Sequence, residues 1–250
     1  IKILEMLQNK GEVEVSELAT LFETSEMTIR RDLNELVKKY NITRTHGGAM
    51  MPQHGTPIIK PETFEPEKIS NKEKKDVIAR KAASFIDARQ RIFVDAGSTT
   101  RRLVSYLDNE HKNIIVTNSI TVIDACMKYE NLSVIMLGGE IQRISRCSMG
   151  DLAEEQLRNY QLDVAFLGAA AVGADGNVYD GYSPEARFKK TVFEVAQKVY
   201  LMVDSTKFNT YDLTAFASLE QFAGVITDSG IDEETIKFLR GNNVEVIIAQ

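Results

Sequence analysis

Seven short apolar runs recur between residue 91 and residue 249, and amphipathic segments lie between several of them. The runs are "RIFVD", "NIIVT", "LSVIML", "DVAFLG", "KVYLMVD", "AGVITD" and "VEVIIA". Most are almost continuously hydrophobic, which is typical of parallel strands that are covered on both faces. The pattern therefore predicts an α/β fold in which helices flank an open, doubly wound, mostly parallel sheet.

Four of the five prolines in the chain fall within the stretch "MPQHGTPIIKPETFEP". Proline removes an amide donor and disfavours helix in the residue before it, so regular structure is not expected there. The stretch therefore predicts a linker. We expect an N-terminal domain over residues 1–51, the linker over residues 52–70, and a larger C-terminal domain over residues 71–250.

The N-terminal part predicts a helix, a short strand "EVEV", two more helices and a hairpin. Ser16 and Ser25 are the expected N-caps of the second and third helices. Apolar residues of the third helix recur at helical spacing and predict one buried stripe. They are Ile29, Leu33, Leu36, Val37 and Tyr40. Such a domain suits DNA, because the third helix fits the major groove and "RTHGG" can act as a wing.

The third helix carries two adjacent arginines, in "SEMTIRRDLNEL". At about 100° per residue, Arg31 points away from the buried stripe, while Thr28, Arg30 and Asn34 flank it. We expect Arg31, Thr28 and Asn34 to reach base edges. The groups expected to contact phosphates are Arg30, Lys38, Arg44 and His46. Exposed helices with two arginines are common, however, and residues 1–51 hold seven Lys and Arg against eight Asp and Glu, so charge alone does not decide.

The stretch "SELATLFETSEMTIRRDLNELVKKYNITRTHGGA" resembles, at nearly every position, the winged helix-turn-helix of DeoR-family bacterial transcriptional regulators. The resemblance implies that Thr28, Arg30 and Arg31 contact DNA, and that His46 and Gly47 belong to the wing. The predicted DNA-binding residues are therefore Ser25, Thr28, Arg30, Arg31, Asn34, Lys38, Arg44, His46 and Gly47.

Small and polar residues follow the carboxyl ends of most predicted strands, which is where open α/β sheets bind ligands. In "DAGSTT", Gly97 lets the backbone approach a ligand, and Ser98, Thr99 and the next helix offer donors to an anion. Lys207, after another strand, would add a positive charge. Any one such segment is more simply a turn or a cap. Several along one edge favour a small phosphorylated ligand.

Two further segments have simple structural interpretations. "GADGNV" predicts a hairpin turn rather than a carboxylate site. "SPEARFKK" predicts a helix with Ser183 as its N-cap and Pro184 at its first position. Lys189 on that helix could face the ligand cleft, although a solvated lysine is the default expectation.

The C-terminal part also resembles the DeoR family, through "NKEKKDVIARKAASFI", "VDAGSTT", "VTNS", "MLGGE", "EARFKK" and "VDSTKF" in that order. The DeoR-type effector domain is similar in fold to ribose-5-phosphate isomerase, so the resemblance implies a phosphorylated sugar or sugar derivative as the effector. The predicted effector-binding residues are Asp95, Gly97, Ser98, Thr99, Thr100, Thr117, Asn118, Gly139, Lys189, Asp204 and Lys207.

The isomerase relatives carry carboxylates in a D-G-A-D-type loop after the strand equivalent to "DVAFLG". Here that loop reads "GAAAVG", and no side chain in it can transfer a proton. The three histidines suggest no nucleophile–base arrangement either, so we predict a binding protein without catalytic residues. The alternatives are a sugar-phosphate isomerase with a fused DNA domain and a DNA-binding protein with a vestigial pocket.

The two cysteines predict neither a disulfide framework nor a metal-ligand pair. We expect Cys126 in the core and Cys147 as an exposed thiol. The chain shows no signal peptide and no apolar span long enough for a membrane, which predicts a cytoplasmic protein without a membrane partner, metal or cofactor. Its formal charge of −6 argues against a positively coated surface but permits a local basic face.

Together these features predict a repressor of a carbohydrate-metabolism operon that acts as a dimer or tetramer. Two arginine helices presented one helical turn apart would read a palindromic operator. A sugar phosphate bound to the C-terminal domain would change their relative placement through the linker, and so change operator affinity.

Overall fold

A computed structural model describes residues 3, 6–7, 11–22, 24–39, 42–45, 47–50 and 71–250. The predicted linker and His46 lie outside these residues, and so does the side chain of Lys38. The chain forms two compact units, Ile1–Pro61 and Glu62–Gln250. The domain limits drawn from the sequence, at residues 51 and 71, remain predictions.

The N-terminal unit combines short helices with a three-stranded antiparallel sheet of order β1-β3-β2. Its labelled elements are β1 (Glu12–Glu14), α1 (Val15–Leu21), α2 (Glu26–Lys39), β2 (Thr43–Arg44) and β3 (Gly48–Met50). Ile3, Met6 and Leu7 are helical ahead of them. The buried side chains include Leu7, Val13, Leu18, Ile29, Leu33, Ile42 and Ala49. This core joins the helices to β1 and β3, as a winged helix-turn-helix requires.

The helix starts in this unit agree only partly with the sequence prediction. Ser25 caps α2 as predicted, because the Thr28 amide donates to its Oγ at 3.2 Å. Ser16 is not a cap, since α1 already begins at Val15. The reason is that Val15 is buried and its amide donates to the Gly47 carbonyl at 2.8 Å, so sheet pairing continues up to the first helical residue.

The second unit is built on one seven-stranded parallel sheet, of order β15-β14-β12-β9-β4-β5-β6. All seven predicted strands belong to it. They are β4 (Arg91–Val94), β5 (Ile114–Thr117), β6 (Ser133–Met136), β9 (Leu162–Leu167), β12 (Ala196–Met202), β14 (Gly224–Asp228) and β15 (Val246–Ala249). The order runs outward from β9 and β4 in both directions, which confirms the doubly wound fold.

Helices cover both faces of this sheet. They are α3 (Lys72–Ala83), α4 (Ile120–Cys126), α5 (Asp151–Arg158), α6 (Ser183–Val195) and α7 (Glu233–Gly241). Ile92 and Val94 belong to one buried cluster, whereas Phe93 between them belongs to the other. Since successive strand side chains point to opposite faces, the sheet separates two hydrophobic cores. The segment that follows β4 also contains a 3-10 helix, Thr100–Tyr106.

Two small antiparallel sheets accompany the large one. β7 (Glu140–Gln142) pairs with β8 (Cys147–Met149), and β10 (Ala171–Val172), β11 (Asn177–Asp180) and β13 (Thr214–Ser218) form the second. β10 and β11 form the hairpin predicted from "GADGNV".

Two residues differ from their predicted environments. Ser183 is the first residue of α6 and Tyr182 is its N-cap, because the Ser183 hydroxyl pairs with Thr214 Oγ1 at 2.7 Å instead of capping. Cys147 is buried rather than exposed, because β8 packs against the residues after β5. Burial raises the pKa of its thiol to about 12. Cys126 is buried, as predicted. None of the described helices is long and apolar enough to span a membrane.

Candidate functional site

The exposed face of α2 carries the predicted DNA contacts. Ile29 and Leu33 are fully buried and hold the helix to the core, while Arg31 and Asn34 are exposed. Met27, beside them in sequence, keeps 80% of its side chain exposed. A helix that presents arginine, asparagine and methionine to solvent offers both hydrogen-bond donors and an apolar contact to base edges.

The start of α2 is tied together by local hydrogen bonds. The hydroxyls of Ser25 and Thr28 lie 2.9 Å apart, so both serve the helix start. Arg30 forms an exposed ion pair with Glu26, with the Arg30 Nη2 and Glu26 Oε2 atoms 3.2 Å apart. Such a pair is weak in water, and a DNA phosphate can replace the carboxylate. Arg31 is exposed and forms no ion pair with another described residue.

The predicted wing is the hairpin of β2 and β3. The Arg44 guanidinium donates to the Gly48 carbonyl, so it helps to hold the turn that contains the exposed Gly47. A Cβ added at Gly48 would overlap the backbone carbonyl of Val13 on β1, whereas one added at Gly47 would meet nothing within 4 Å. Gly48 is therefore required for sheet packing, and Gly47 is the open position of the wing.

In the second unit, Asp95 lies at the carboxyl end of β4 in the middle of the sheet. Its side chain is buried, and its Oδ2 accepts a hydrogen bond of 2.9 Å from the Gly168 amide after β9. A Cβ on Gly97 would lie 3.8 Å from the Gly168 Cα, so the two loops approach each other closely. Thr100 closes the loop that follows β4, because its hydroxyl donates to the Asp95 carbonyl at 2.8 Å.

Lys189 reaches this centre from α6. Its Nζ lies 3.1 Å from Asp95 Oδ2, 2.8 Å from Asp180 Oδ2 and 3.7 Å from Glu185 Oε1, and it donates to the Gly168 carbonyl at 2.9 Å. The default expectation of a solvated lysine is wrong, because three carboxylates compensate its charge inside the protein. Asp180 and Glu185 were missed by the sequence analysis, since neither follows a strand of the main sheet.

The charges in this cluster strongly perturb one another. Burial raises the pKa of Asp180 to about 6 and that of Glu185 to about 7, against the lowering effect of Lys189. The Glu185 side chain is 19% exposed and that of Asp180 is 9% exposed, so both carboxyl groups are largely removed from water. Burial alone would lower the pKa of Lys189, but the charges of Asp180, Asp95 and Glu185 outweigh it and raise that pKa.

A second lysine, Lys75, contacts the predicted phosphate loop. It is 3% exposed, and its Nζ donates to Ser98 Oγ at 3.0 Å. Lys75 was also not among the residues predicted from the sequence. A signal was present, because Ile78, Ala79 and Ala82 follow it at helical spacing and place Lys75 on the buried face of α3. Thr99 and Thr100, in the same loop, are buried as well.

Thr117 and Asn118 follow the neighbouring strand β5, and both are buried. Thr117 donates to the Val94 carbonyl at 2.6 Å, and the Asn118 amide donates to the Ser148 carbonyl at 3.0 Å. Gly139 has φ +134°, and a Cβ there would overlap the Met149 carbonyl. Asn118 therefore ties β8 to the end of β5, Thr117 ties the end of β5 to β4, and Gly139 allows a close approach to β8, while their role as effector contacts remains a prediction.

Asp204 and Lys207 follow β12 in the short 3-10 turn Ser205–Lys207. Asp204 is buried, and its Oδ1 accepts hydrogen bonds from the Thr206 amide at 3.1 Å and the Asn71 side chain at 3.3 Å. Lys207 is half-buried and has no ion pair within the described part of the chain. Its charge is therefore available at this end of the edge.

Direct contacts divide the predicted effector residues into groups. Gly168 is surrounded by Asp95, Gly97, Thr100 and Lys189. Ser98 lies in the same loop as Gly97 and contacts Lys75. Asn118 and Gly139 contact β8, Thr117 contacts the end of β4, and Asp204 belongs to a network with Asn71. Within the described ranges, no three His, Cys, Asp or Glu residues are placed to hold a metal ion.

A winged helical unit with an exposed arginine face, and an α/β unit with a polar binding edge, define a DNA-binding regulator with a sensor domain. Family models match both parts: the DeoR-like helix-turn-helix domain over residues 1–54 and the DeoR C-terminal sensor domain over residues 70–229. The chain belongs to the DeoR family of transcriptional regulators. Its activity is therefore regulation of transcription rather than catalysis.

Curated relatives match along almost the whole chain. The putative aga operon transcriptional repressor of Escherichia coli O157:H7 is 32% identical over 247 residues, 99% of this chain and 91% of that protein. The glycerol-3-phosphate regulon repressor of Escherichia coli K12 is 30% identical, covering 98% and 95%. The lactose phosphotransferase system repressor of Lactococcus lactis subsp. lactis is 33% identical, covering 94% and 92%.

Solved structures with detectable similarity include ribose 5-phosphate isomerase A from Methanocaldococcus jannaschii. It is 21% identical, with a TM-score of 0.42 and coverage of 56% of this chain and 55% of that one.

Proposed function

We propose that this regulator represses a carbohydrate-metabolism operon, and that a phosphorylated sugar bound at the carboxyl edge of its sensor sheet changes its affinity for operator DNA. The observation that carries the proposal is the pairing of Lys75 with Ser98 beside the cluster of Lys189 and its three carboxylates. The Lys75 side of this centre suits an anion, and the carboxylate side suits hydroxyl groups.

The charges indicate how the effector lies. Lys189 is surrounded by Asp95, Asp180 and Glu185, so this cluster carries excess negative charge and disfavours a phosphate dianion. Buried carboxylates do accept hydrogen bonds from sugar hydroxyls. The phosphate therefore belongs near Ser98 and Thr99, with Lys75 and Lys207 as the compensating charges.

Operator recognition is proposed to use α2 and the wing. Arg31, Thr28 and Asn34 would contact base edges, and Arg30 and Arg44 phosphates. A dimer or tetramer would present two such helices to a palindromic site, because closed symmetry in the protein matches dyad symmetry in DNA. A cytoplasmic location follows from this role, since operator DNA lies there.

The relatives supply the class of operon. Their names refer to the aga operon, the glycerol-3-phosphate regulon and the lactose phosphotransferase system, so one names a phosphorylated polyol and another names a sugar. The named systems make sugar phosphates and small phosphorylated polyols the first compounds to test.

The deciding experiment titrates the full-length protein against labelled DNA from upstream of its own operon, by fluorescence anisotropy at one fixed salt concentration. It is repeated with inorganic phosphate, glycerol 3-phosphate, glucose 6-phosphate, fructose 1-phosphate and galactosamine 6-phosphate, each against its unphosphorylated counterpart where one exists. We expect one phosphorylated compound to change the DNA Kd by about 5- to 150-fold, with no effect of its counterpart. Specific DNA binding that no compound alters would contradict the effector part of the proposal.

A further inference from the structure

The first turn of α3 touches two separate loops of the proposed effector site. Asn71, Lys74 and Lys75 are spaced at i, i+3 and i+4, so they share one face of the helix start. The side chain of each donates a hydrogen bond to a loop at the carboxyl edge of the sheet. In the sequence this turn directly follows the linker that leads from the DNA-binding domain.

Asn71 makes an unusual contact for a residue at a helix start. An asparagine there ordinarily accepts a hydrogen bond from the first helical turn. Asn71 makes no such cap and lies in the left-handed region, with φ 59°. Its Nδ2 instead donates to Asp204 Oδ1 at 3.3 Å and to Thr206 Oγ1 at 3.4 Å. The side chain thus serves the loop that carries Lys207 rather than its own helix.

Lys74 joins the same loop to the next strand. Its Nζ donates to Ser205 Oγ at 2.7 Å and lies 3.4 Å from Asp228 Oδ2. Asp228 in turn accepts from the Ser205 amide at 2.7 Å and from the Gly230 amide at 2.9 Å. Lys74 of α3 therefore contacts both of the loops that Ser205 and Asp228 join at the ends of β12 and β14.

Lys75 completes the arrangement through Ser98. A phosphate bound at Ser98 would draw the Lys75 amine to itself, because a charged acceptor makes a stronger hydrogen bond than a hydroxyl. Attraction of Lys207 to the same phosphate would move the loop that Asn71 and Lys74 hold. Both displacements act on one helical turn.

We propose that this turn is the coupling element of the regulator, with Asn71 and Lys74 as positioning residues that transmit effector binding to the linker. The inference rests on the proposed function, since it assumes a phosphorylated effector at this edge. It assigns a role that differs from binding: the two side chains set the response of DNA affinity to the effector, and they leave both individual affinities largely intact.

The test uses full-length Lys74→Met and Asn71→Gly variants. Methionine keeps the apolar stem of lysine without the amine, and glycine adopts a positive φ without strain. Lys72→Met is the matched control, because Lys72 lies in the same turn, is exposed and makes no ion pair to a described residue. Thermal melting establishes that each variant is folded, and either test variant suffices if the other does not fold.

Two quantities are measured for each protein with the phosphorylated compound of the above panel to which the wild type responds. Calorimetry gives the Kd of the compound, and anisotropy gives the DNA Kd with and without it. We expect Lys74→Met and Asn71→Gly to keep the compound Kd and the unliganded DNA Kd within about 3-fold of wild type, while the change in DNA Kd shrinks at least about 5-fold. Lys72→Met should respond as the wild type does.

If the compound changes the DNA Kd of both test variants as much as that of the wild type, the inference is overturned. It is also overturned if the smaller change in DNA Kd is fully explained by weaker binding of the compound. A wild-type protein that binds none of the compounds would instead overturn the proposed function, and the coupling role with it. The wild-type titration alone separates these two failures.

Discussion

Lys189 Nζ lies 3.1 Å from Asp95 Oδ2, and both side chains are almost completely buried, with exposed fractions of 3% and 2%. The contact joins α6 to the end of β4 across the middle of the sensor sheet. Since Asp180 and Glu185 lie against the same amine, one buried cation compensates three carboxylates.

Replacing Lys189 with methionine should destabilise the sensor unit by about 3–5 kcal/mol, because it leaves buried carboxylates without their cation. Chemical denaturation followed by circular dichroism measures the change. Lys190→Met is the control, since Lys190 is the exposed neighbour on the same helix and its loss should change stability by less than about 0.5 kcal/mol. Equal effects of the two substitutions would contradict the role given to Lys189.

The raised pKa values of Asp180 and Glu185 predict a pH dependence of stability. The unfolded chain loses these protons near pH 4 to 4.5, whereas the folded protein holds them until about pH 6 and about pH 7. The stabilisation that these two groups contribute is therefore fully present below pH 4. It is lost as pH rises through their pKa values in the folded protein. The slope is at most about 1.4 kcal/mol per pH unit for each group.

Melting temperatures measured from pH 4.5 to 8 test this dependence. Glu185→Gln should flatten the upper part of the profile, because glutamine does not ionise. As a control, Glu220→Gln should leave the profile unchanged, since Glu220 is exposed. A wild-type profile that rises steadily to pH 8 in this range would argue against the two shifts.

Arg31→Ala should weaken operator binding by about 1–3 kcal/mol, or roughly 5- to 150-fold, if Arg31 contacts a base edge. The sensor unit should bind its effector unchanged, because the substitution lies in the other unit. Lys128→Ala removes an exposed charge from the sensor unit and serves as the control. Loss of effector binding together with DNA binding would refute the division of roles between the units.

Arg30→Ala tests the contrast between the two arginines. If Arg30 contacts a phosphate, its loss should weaken binding to all DNA sequences alike and lower the slope of log K against log salt by about one. Titrations at several salt concentrations, on operator and on unrelated DNA, measure the loss of affinity and the change in slope. A selective loss on the operator would show that Arg30 reads bases instead.

Adjacent glycines in the wing give a matched pair. Gly48→Ala should destabilise the N-terminal unit by more than about 1 kcal/mol, since the new methyl group would overlap the Val13 carbonyl. Gly47→Ala should cost little stability, because its methyl group meets nothing within 4 Å. Thermal unfolding compares the two, and similar losses would contradict the packing described for β1 and β3.

The repeated apolar runs were sufficient to predict the seven parallel strands, because a strand that is buried on both faces consists almost entirely of hydrophobic residues. The resemblance of "SEMTIRRDLNEL" and of the sensor motifs to one family was equally readable from local sequence. Helix starts were predicted less well: Ser16 and Ser183 have the right chemistry for caps, but tertiary contacts at Val15 and Thr214 decide where those helices begin.

Asp95 and Lys207 could be proposed from sequence because each follows a strand, and the ends of parallel strands meet at one edge. Asp180, Glu185 and Lys75 could not, because they come from a side hairpin and two helices that only the folded chain brings to that edge. Burial of Lys189 and Cys147 was likewise decided by packing. Local sequence determines which segments become strands and helices, whereas contacts between distant segments determine which polar groups lose water and which partners compensate them.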